Sequence, residues 1–411
     1  MGRTKRKRKL KKDPDYCKCN NSEELISLNS WLIKHGVKRN KKLGLAVFKD
    51  TGRGVLTKKK ICAGDELINL PLNLTINVTT LKQCCIEYSR AISFQALMSF
   101  YLVYLKLQGK ETKWYIYLES LPKKYTVPYF LPSELLSYID KDIISVILKQ
   151  KDVIEKSFNI FEEILNNTTS SYAIVDQLKK YFTKSVFEWA YFTVNTRYIK
   201  YSIIAMVSDN TKISLCPYLD MINHMNNIHE DIFTNVQFSI YTKNNFKPHS
   251  QVFICYGDSH NLKLITEYGF FIPANELDCV NFSFDHIKTY LNSKTIGFSQ
   301  DQLTFISNHN LNKGLYIDLR GLSFNFYGLL MVAKYYYKEN TDVSRLIYSA
   351  AICSDDRLLI DLIIPMIKDK LNEIKCSINK LNSYNSECVI LNNCVELMCQ
   401  YVMILEKFIK C

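Results

Sequence analysis

The spacing of two strand-like regions restricts this chain more than any other feature. Residues 43–75 and 213–271 carry short apolar runs broken by turn signals, whereas residues 80 to about 204 place apolar side chains at helical intervals. A sheet drawing on both regions must join strands far apart in the chain around a helical insertion. Beyond about residue 290 the apolar spacing is helical again, through Ile390, Leu391, Cys394, Leu397, Met398, Tyr401 and Leu405. This order predicts an α+β core with a helical insertion, followed by an all-α C-terminal domain.

Local signals fill in that plan. Leu25, Leu28, Trp31 and Leu32 predict a helix from Ser22 to His35, stopped by Gly36. Leu45–Phe48 and Glu66–Pro71 read as strands, with Thr51-Gly52-Arg53-Gly54 as a turn between them. One helix is expected over about 91–108, a long one from Ser133, and another over about 173–201. Val236, Phe238 and Ile240 alternate as a half-buried strand, and Val252–Tyr256 reads as a strand ending at Gly257. Ser299 and Ser354 resemble N-caps.

Composition narrows the class. Of 411 residues, 47% are hydrophobic and 23% charged, which suits a globular chain. No apolar run reaches the roughly 18–20 residues needed to span a bilayer, so no membrane partner is expected. The 14 cysteines are scattered, and neither Cys17-x-Cys19 nor Cys84-Cys85 has zinc-site spacing. A reducing compartment and no metal are expected. Much of the net charge of +13 lies at the start, where Arg3, Lys5 to Lys9, Lys11 and Lys12 precede Asp13. Residues 1–22 read as a basic disordered tail, either an import signal and polyanion contact or a solvated tail without a partner.

Three segments carry more specific chemistry. The first, Thr51–Gly54, is either a simple hairpin turn or a backbone that approaches a ligand closely. In the second, Pro217 to His224, Asn223 and His224 offer donors and acceptors to a ligand or to the loop's own backbone. The third holds Tyr256-Gly257 and then Tyr268-Gly269-Phe270, whose rings suit an apolar slot or a packed core.

In this order the three segments resemble the SET-domain protein methyltransferases. The helical insertion, Trp189-Ala190, Val194-Asn195-Thr196-Arg197 and Trp114 with Leu121-Pro122 resemble the Rubisco large-subunit methyltransferase-like branch. The resemblance implies a SET domain over residues 23–275, with its insertion at about 80–204, and a substrate-binding domain over 290–411. It implies S-adenosyl-L-methionine as cofactor, held by Thr51, Gly52, Arg53, Arg197, Asp220, Met221, Ile222, Asn223, His224, Tyr268, Gly269 and Phe270. It makes Tyr256 the catalytic tyrosine and places Ile199, Leu219, Tyr256 and Tyr268 against the substrate.

The reaction it implies is methylation of a lysine on another protein, a histone (H3 or H4) or a non-histone protein. Lysine has an ordinary pKa near 10.4 and must lose its proton before attack. A nearby positive charge and partial desolvation both favour the neutral amine. The tail adds an expectation of chromatin association, in nucleus and cytoplasm, for a monomer. Two other readings compete. One is a histidine methyltransferase of the same fold, against which stand the apolar Ile199 and Leu219. The other is a non-catalytic scaffold, against which stand Asn223, His224 and Tyr256.

Overall fold

The computed structural model describes residues 16–18, 22–83, 92–169, 173–200, 213–234, 237–339, 342–349, 357–384 and 388–410. Of the tail expected to be disordered over residues 1–22, Tyr16–Lys18 instead form a strand paired to Ala46–Phe48, while its residues before Tyr16, like Cys84-Cys85, Val236 and Ser354, lie outside these residues. The chain forms two compact units. One comprises residues up to Tyr125 together with Ile154–Asp258, and the other Thr126–Val153 together with Ser259–Cys411.

The first unit holds eleven strands among the described residues: β1 (Tyr16–Lys18), β2 (Lys38–Arg39), β3 (Leu43–Phe48), β4 (Gly52–Thr57), β5 (Glu66–Pro71), β6 (Tyr198–Lys200), β7 (Ile213–Leu215), β8 (Asn223–His224), β9 (Glu230–Thr234), β10 (Gln237–Thr242) and β11 (Gln251–Ile254). They form sheets of order β1-β3-β4-β11-β8, β2-β5-β10-β9 and β6-β7. In the five-stranded sheet β11 runs antiparallel to β4, with Val252 opposite Val55, and parallel to β8, with Phe253 opposite Asn223. Distant segments therefore close one sheet, as the spacing of the strand-like regions requires.

Helices Glu23–Lys34, Phe94–Gln108 and Lys184–Arg197 surround these sheets, the first buried through Leu25, Leu28, Trp31 and Leu32. The helix expected over 22–35 is one residue shorter at each end, with Ser22 and His35 in the cap positions. Phenylalanines from different helical segments lock together: Phe100 stacks on Phe161 at 4.5 Å and Phe158 on Phe182 at 5.0 Å. Each such pair adds roughly 0.5–1.5 kcal/mol beyond burial.

Several local expectations need correction. The stretch 173–201 is not one helix. It divides into Ala173–Tyr181 and Lys184–Arg197 because Thr183 is extended, and the chain then enters β6, which pairs with β7. The region from Ser133 is broken too. A short turn of helix, Ser133–Leu136, precedes Lys141–Asn167, and the Asp140 carboxylate restarts the helix by accepting from Asp142 N at 2.9 Å. Thr51–Gly54 is only partly a turn, since Gly52 already begins β4. The strand at 252–256 spans Gln251–Ile254 instead.

The second unit is mainly helical, but it is not all-α. It contains a three-stranded antiparallel sheet, β12 (Cys279–Asn281), β13 (Tyr316–Asp318) and β14 (Gly321–Leu322). Short two- and three-residue strands carry too little alternation to stand out from helical sequence. Its core joins Ile139, Ile143 and Ile147 to Ile265, Ile317, Leu330, Ile363 and Leu397, so residues 126–153 pack here rather than with the rest of the insertion. The compact units thus divide elsewhere than at 275–290. Helix Val389–Lys410 is long and apolar enough to cross a membrane, yet its apolar stripe of Leu391, Cys394, Leu397, Tyr401 and Leu405 fills this core. It reads as a core helix.

Candidate active site

Beside the β4-β11-β8 part of the first unit's sheet, polar groups converge on Asp220. The chain reaches it through Tyr218, a fully buried tyrosine with φ 72°, a backbone conformation that L residues rarely adopt. Leu219–Met221 then make one tight helical turn. The Asp220 side chain has no exposed surface. Its Oδ2 accepts from the Tyr117 hydroxyl at 2.7 Å and pairs with Arg197 Nη1 at 3.3 Å. Arg197 Nη1 also donates to the Asp220 carbonyl at 3.0 Å.

This pair sits in a low-dielectric setting. Burial lifts the Asp220 carboxyl above its ordinary range, while Arg197 and Tyr117 oppose the rise. For Arg197, burial alone would lower the guanidinium, but Asp220 and the hydroxyls of Tyr125, Tyr117 and Tyr256 outweigh it. We take the pair as ionised, because the Tyr117 bond at 2.7 Å and the Arg197 charge at 3.3 Å from one carboxylate oxygen reward the charged form. Arg53 lies near enough to feel Arg197, and burial first, then that like charge, lowers it. Its Nη1 is anchored on the Ser120 carbonyl at 2.8 Å. Arg197 alone pairs with the Asp220 carboxylate, and Arg53 feels it through space. Arg197 Nε and Asp220 Oδ1 are buried without a hydrogen-bond partner among the described residues.

The Gly-x-Gly segment meets this cluster through Asn223. Asn223 Nδ2 donates to the Arg53 carbonyl at 3.0 Å and, more weakly, to that of Thr51 at 3.4 Å. Gly54 is what lets the side chains cross here. A Cβ on it would lie 2.5 Å from Gln251 Nε2 and 2.9 Å from Asn223 Nδ2. Gly52 serves the other need, with φ 67° at the turn into β4. Thr51 Oγ1 donates to Gln251 Oε1 at 2.8 Å.

His224 and Tyr256 form the remaining edge. Their rings stack with centroids 5.1 Å apart. His224 Nδ1 accepts from Tyr256 N at 3.0 Å, so the ring proton sits on Nε2, facing Asn226 Oδ1 at 2.9 Å. The Tyr256 hydroxyl donates to the Ile222 carbonyl at 2.7 Å, while its ring stays part-exposed. Burial pushes this hydroxyl up from its ordinary acidity, and Arg197 only partly opposes the rise. It remains a neutral phenol at physiological pH.

Thr51, Gly52, Arg53, Arg197, Asp220, Asn223, His224 and Tyr256 therefore come together in one unit. Met221 and Ile222 are buried side chains that present backbone to this neighbourhood. Ile199 is half-buried in β6, and Leu219 is fully enclosed, with no surface to offer a substrate. Tyr268, Gly269 and Phe270 belong to the second unit. There Gly269, at φ 82°, packs on Thr126, whose hydroxyl donates to the Gly269 carbonyl at 2.8 Å. Asn393 Nδ2 donates to the same carbonyl at 3.1 Å.

Sequence reasoning missed Tyr117, Tyr125, Tyr218, Ser120 and Gln251. Tyr117 lies within the Trp114–Pro122 segment already singled out, but a tyrosine in an apolar helix reads as core. Tyr125, which shares a bond of 2.7 Å with Thr193 Oγ1, gives no signal beyond its residue type.

No family model matches the chain. It is similar to SET domain-containing protein 4 of Homo sapiens, with 28% identity over 281 residues, 66% of this chain and 63% of the human protein's length. SET domain-containing protein 4 of Artemia parthenogenetica is 27% identical over 92% of this chain and 95% of its own. The Schizosaccharomyces pombe ribosomal lysine N-methyltransferase set11 is 26% identical over 74% and 73%. Similarity extends to the Drosophila melanogaster actin-histidine N-methyltransferase, 24% identical over 62% of this chain and 50% of that protein. Among solved structures, the SET domain of LSMT bound to lysine and AdoHcy superposes with a TM-score of 0.66 at 18% identity, covering 95% of this chain and 91% of that one. The chain has the SET-domain fold, with the α+β architecture of Rubisco LSMT.

Proposed function

We propose that this SET-fold chain is an S-adenosylmethionine-dependent protein-lysine N-methyltransferase. The observation that carries the reading is the placement of Tyr256. It follows two residues after the strand that pairs in parallel with Asn223–His224, and its hydroxyl is tied to the Ile222 carbonyl beside the Arg197–Asp220 cluster. Structures of Rubisco LSMT hold AdoMet, or lysine with AdoHcy, and several curated relatives are named as methyltransferases.

The residues present fit the cofactor. It carries an α-carboxylate, an α-amine and a sulfonium, so a site with two guanidiniums, one carboxylate and clustered backbone carbonyls has matching groups. The partnerless Arg197 Nε and Asp220 Oδ1 leave polar capacity in that cluster. Thr51, Gly52, Arg53, Arg197, Asp220, Met221, Ile222, Asn223 and His224 would hold it. When bound, it supplies an already activated methyl group, so the protein's contribution is mainly positional.

Tyr256 performs the orienting. A phenol held above its ordinary pKa cannot serve as a base at neutral pH, so it does not take the lysine proton. Its hydroxyl proton is committed to Ile222, which leaves the oxygen lone pairs to accept an amine N–H and aim the nitrogen lone pair. A histidine-directed site of the same fold is the second reading, motivated by the actin-histidine relatives. Ile199, half-buried in β6, offers no polar group to an imidazole, which favours lysine.

The test is thermal. A ligand binding only the native state at a hundred times its Kd stabilises by about 2.7 kcal/mol. S-adenosylmethionine should raise the Tm, and Asn223→Ala should remove most of the rise. An unmoved melting curve at saturation sinks the enzyme reading. Labelled-methyl transfer with mass spectrometry of the product then separates lysine from histidine, and histones from other proteins. Nuclear as well as cytoplasmic residence and chromatin association are proposed from the eight basic residues before Asp13, and a monomeric state is proposed with them. Undiminished nuclear accumulation after deleting residues 1–12 would overturn the tail's role, and sedimentation as a dimer would overturn the monomer.

A further inference from the structure

The ladder of β11 ends at Ile254, whose partner in β8 is His224. The next two backbone N–H groups, at Cys255 and Tyr256, have no strand to continue along. Side chains satisfy them instead. Tyr256 N donates to His224 Nδ1 at 3.0 Å. Cys255 N donates into the carboxylate of Glu230, 3.1 Å from Oε2 and 3.3 Å from Oε1. Beyond them Gly257 turns the chain away at φ 105°.

Glu230 is an unusual choice for this task. It opens β9, in the other large sheet of the unit, so its side chain reaches from one sheet to the end of a strand in the other. It is half-buried, and burial works against its charge, while the bond from Cys255 works for it. His229 and Lys243 offset its charge only in part, and Lys243 Nζ is itself paired with Asp231 Oδ1 at 2.7 Å. The backbone of residue 229 is fixed separately, His229 N donating to Asn244 Oδ1 at 2.8 Å and its carbonyl accepting from Lys243 N at 2.9 Å. The carboxylate is thus presented by a rigid strand end to one N–H, adjacent to the tyrosine on which the proposed chemistry depends.

We infer that Glu230 is a positioning residue for Tyr256, an inference that rests on the methyltransferase reading above. Tyr256 is then held at three points, all from residues 222–230: its hydroxyl by the Ile222 carbonyl, its own N–H by His224, and the preceding N–H by Glu230. The first two fix ring and hydroxyl. The third fixes the height of the backbone from which the ring projects. A chain free to shift by even about 1 Å at this point would carry the hydroxyl away from the amine, and misplacement on that scale costs up to about a hundredfold in rate.

The experiment uses the full chain with Glu230→Ala, Glu230→Asp and Glu230→Gln. Amide hydrogen exchange at Cys255 and Tyr256 reads the clamp without reference to activity, and kcat and KM for methyl transfer read its consequence. In Glu230→Ala, Cys255 exchange should rise at least tenfold. Its kcat should fall about tenfold while KM for peptide and cofactor stays within about twofold, as expected for loss of alignment rather than of binding. Glu230→Gln keeps an oxygen acceptor at the same reach and should restore both, with Glu230→Asp, one methylene shorter, intermediate. Unchanged exchange in Glu230→Ala overturns the clamp. Raised exchange with normal kcat overturns the positioning role, as does a Gln variant as impaired as Ala. If Glu230→Ala does not fold, the Asp and Gln variants carry the same comparison. A wild-type protein that transfers no methyl group defeats the functional reading, and the role with it, while the exchange data still decide whether the clamp exists.

Discussion

The Tyr256 hydroxyl donates to the Ile222 carbonyl at 2.7 Å, in a setting that raises its pKa above that of a free phenol. Replacing Tyr256 with Phe removes that one oxygen and keeps the ring on His224. The Tm should change little. Turnover should fall on the order of a hundredfold, since a positioned polar group is needed mainly in the transition state. A well-folded and fully active Tyr256→Phe protein would remove Tyr256 from the catalytic role.

The Arg197–Asp220–Tyr117 cluster should govern stability as well as binding. Tyr117→Phe takes one donor from a carboxylate with no exposed surface and should cost about 1–3 kcal/mol. Arg197→Ala leaves that buried carboxylate with the Tyr117 hydroxyl but no paired charge and should cost more, roughly 3–5 kcal/mol. Thermal melts of the two variants test the order. A larger drop for Tyr117→Phe would mean that Asp220 is not carrying charge.

Gly54→Ala separates folding from ligand binding. The added methyl would collide with the ends of two flexible side chains, Gln251 and Asn223, so the fold should survive with a modest loss of Tm. Asn223 would have to leave the Arg53 carbonyl. The stabilisation by S-adenosylmethionine should then shrink, as in Asn223→Ala. A full cofactor response in Gly54→Ala counts against Asn223 as a cofactor residue.

Asp65 gives a prediction in pH. Its Oδ2 accepts from Cys62 N at 3.0 Å and from Lys42 Nζ at 2.9 Å, and these bonds, the backbone one first, hold the carboxyl below its ordinary value. A depressed carboxylate contributes stability above its unfolded pKa, near 3.9, and loses it as pH falls through the folded value. Urea midpoints of wild type and Asp65→Asn should therefore differ at pH 6 and converge toward pH 3. Parallel curves over that range would show that Asp65 does not titrate as the contacts require.

How much of this was legible beforehand depended on range. Helix Glu23–Lys34 was readable to within one residue at each end because apolar periodicity acts within a few residues. Ser299, whose capping box closes on Gln302, was readable because capping is equally local. The break at Thr183 was not, because no glycine or proline marks it, and the end at Arg197 was not, because it answers to the pairing of β6 with β7. β12 to β14 escaped notice because strands of two or three residues are stabilised by their partners and not by their own alternation.

The same division holds at the site. Linear order singled out Thr51–Gly54, Asp220–His224 and Tyr256, each of which taken alone also reads as a turn, a loop or core packing. Only the tertiary structure decided what those residues do to one another. Gly54 turned out to make room for Asn223 and Gln251, and Tyr117 to share Asp220 with Arg197. Glu230, in a strand with no motif of its own, was found under the amide before Tyr256. Hydrogen bonds and desolvation act over a few ångströms in space, whatever the separation in sequence. A chain can advertise its reactive groups in one dimension, but their protonation and aim are set by neighbours that folding alone brings near.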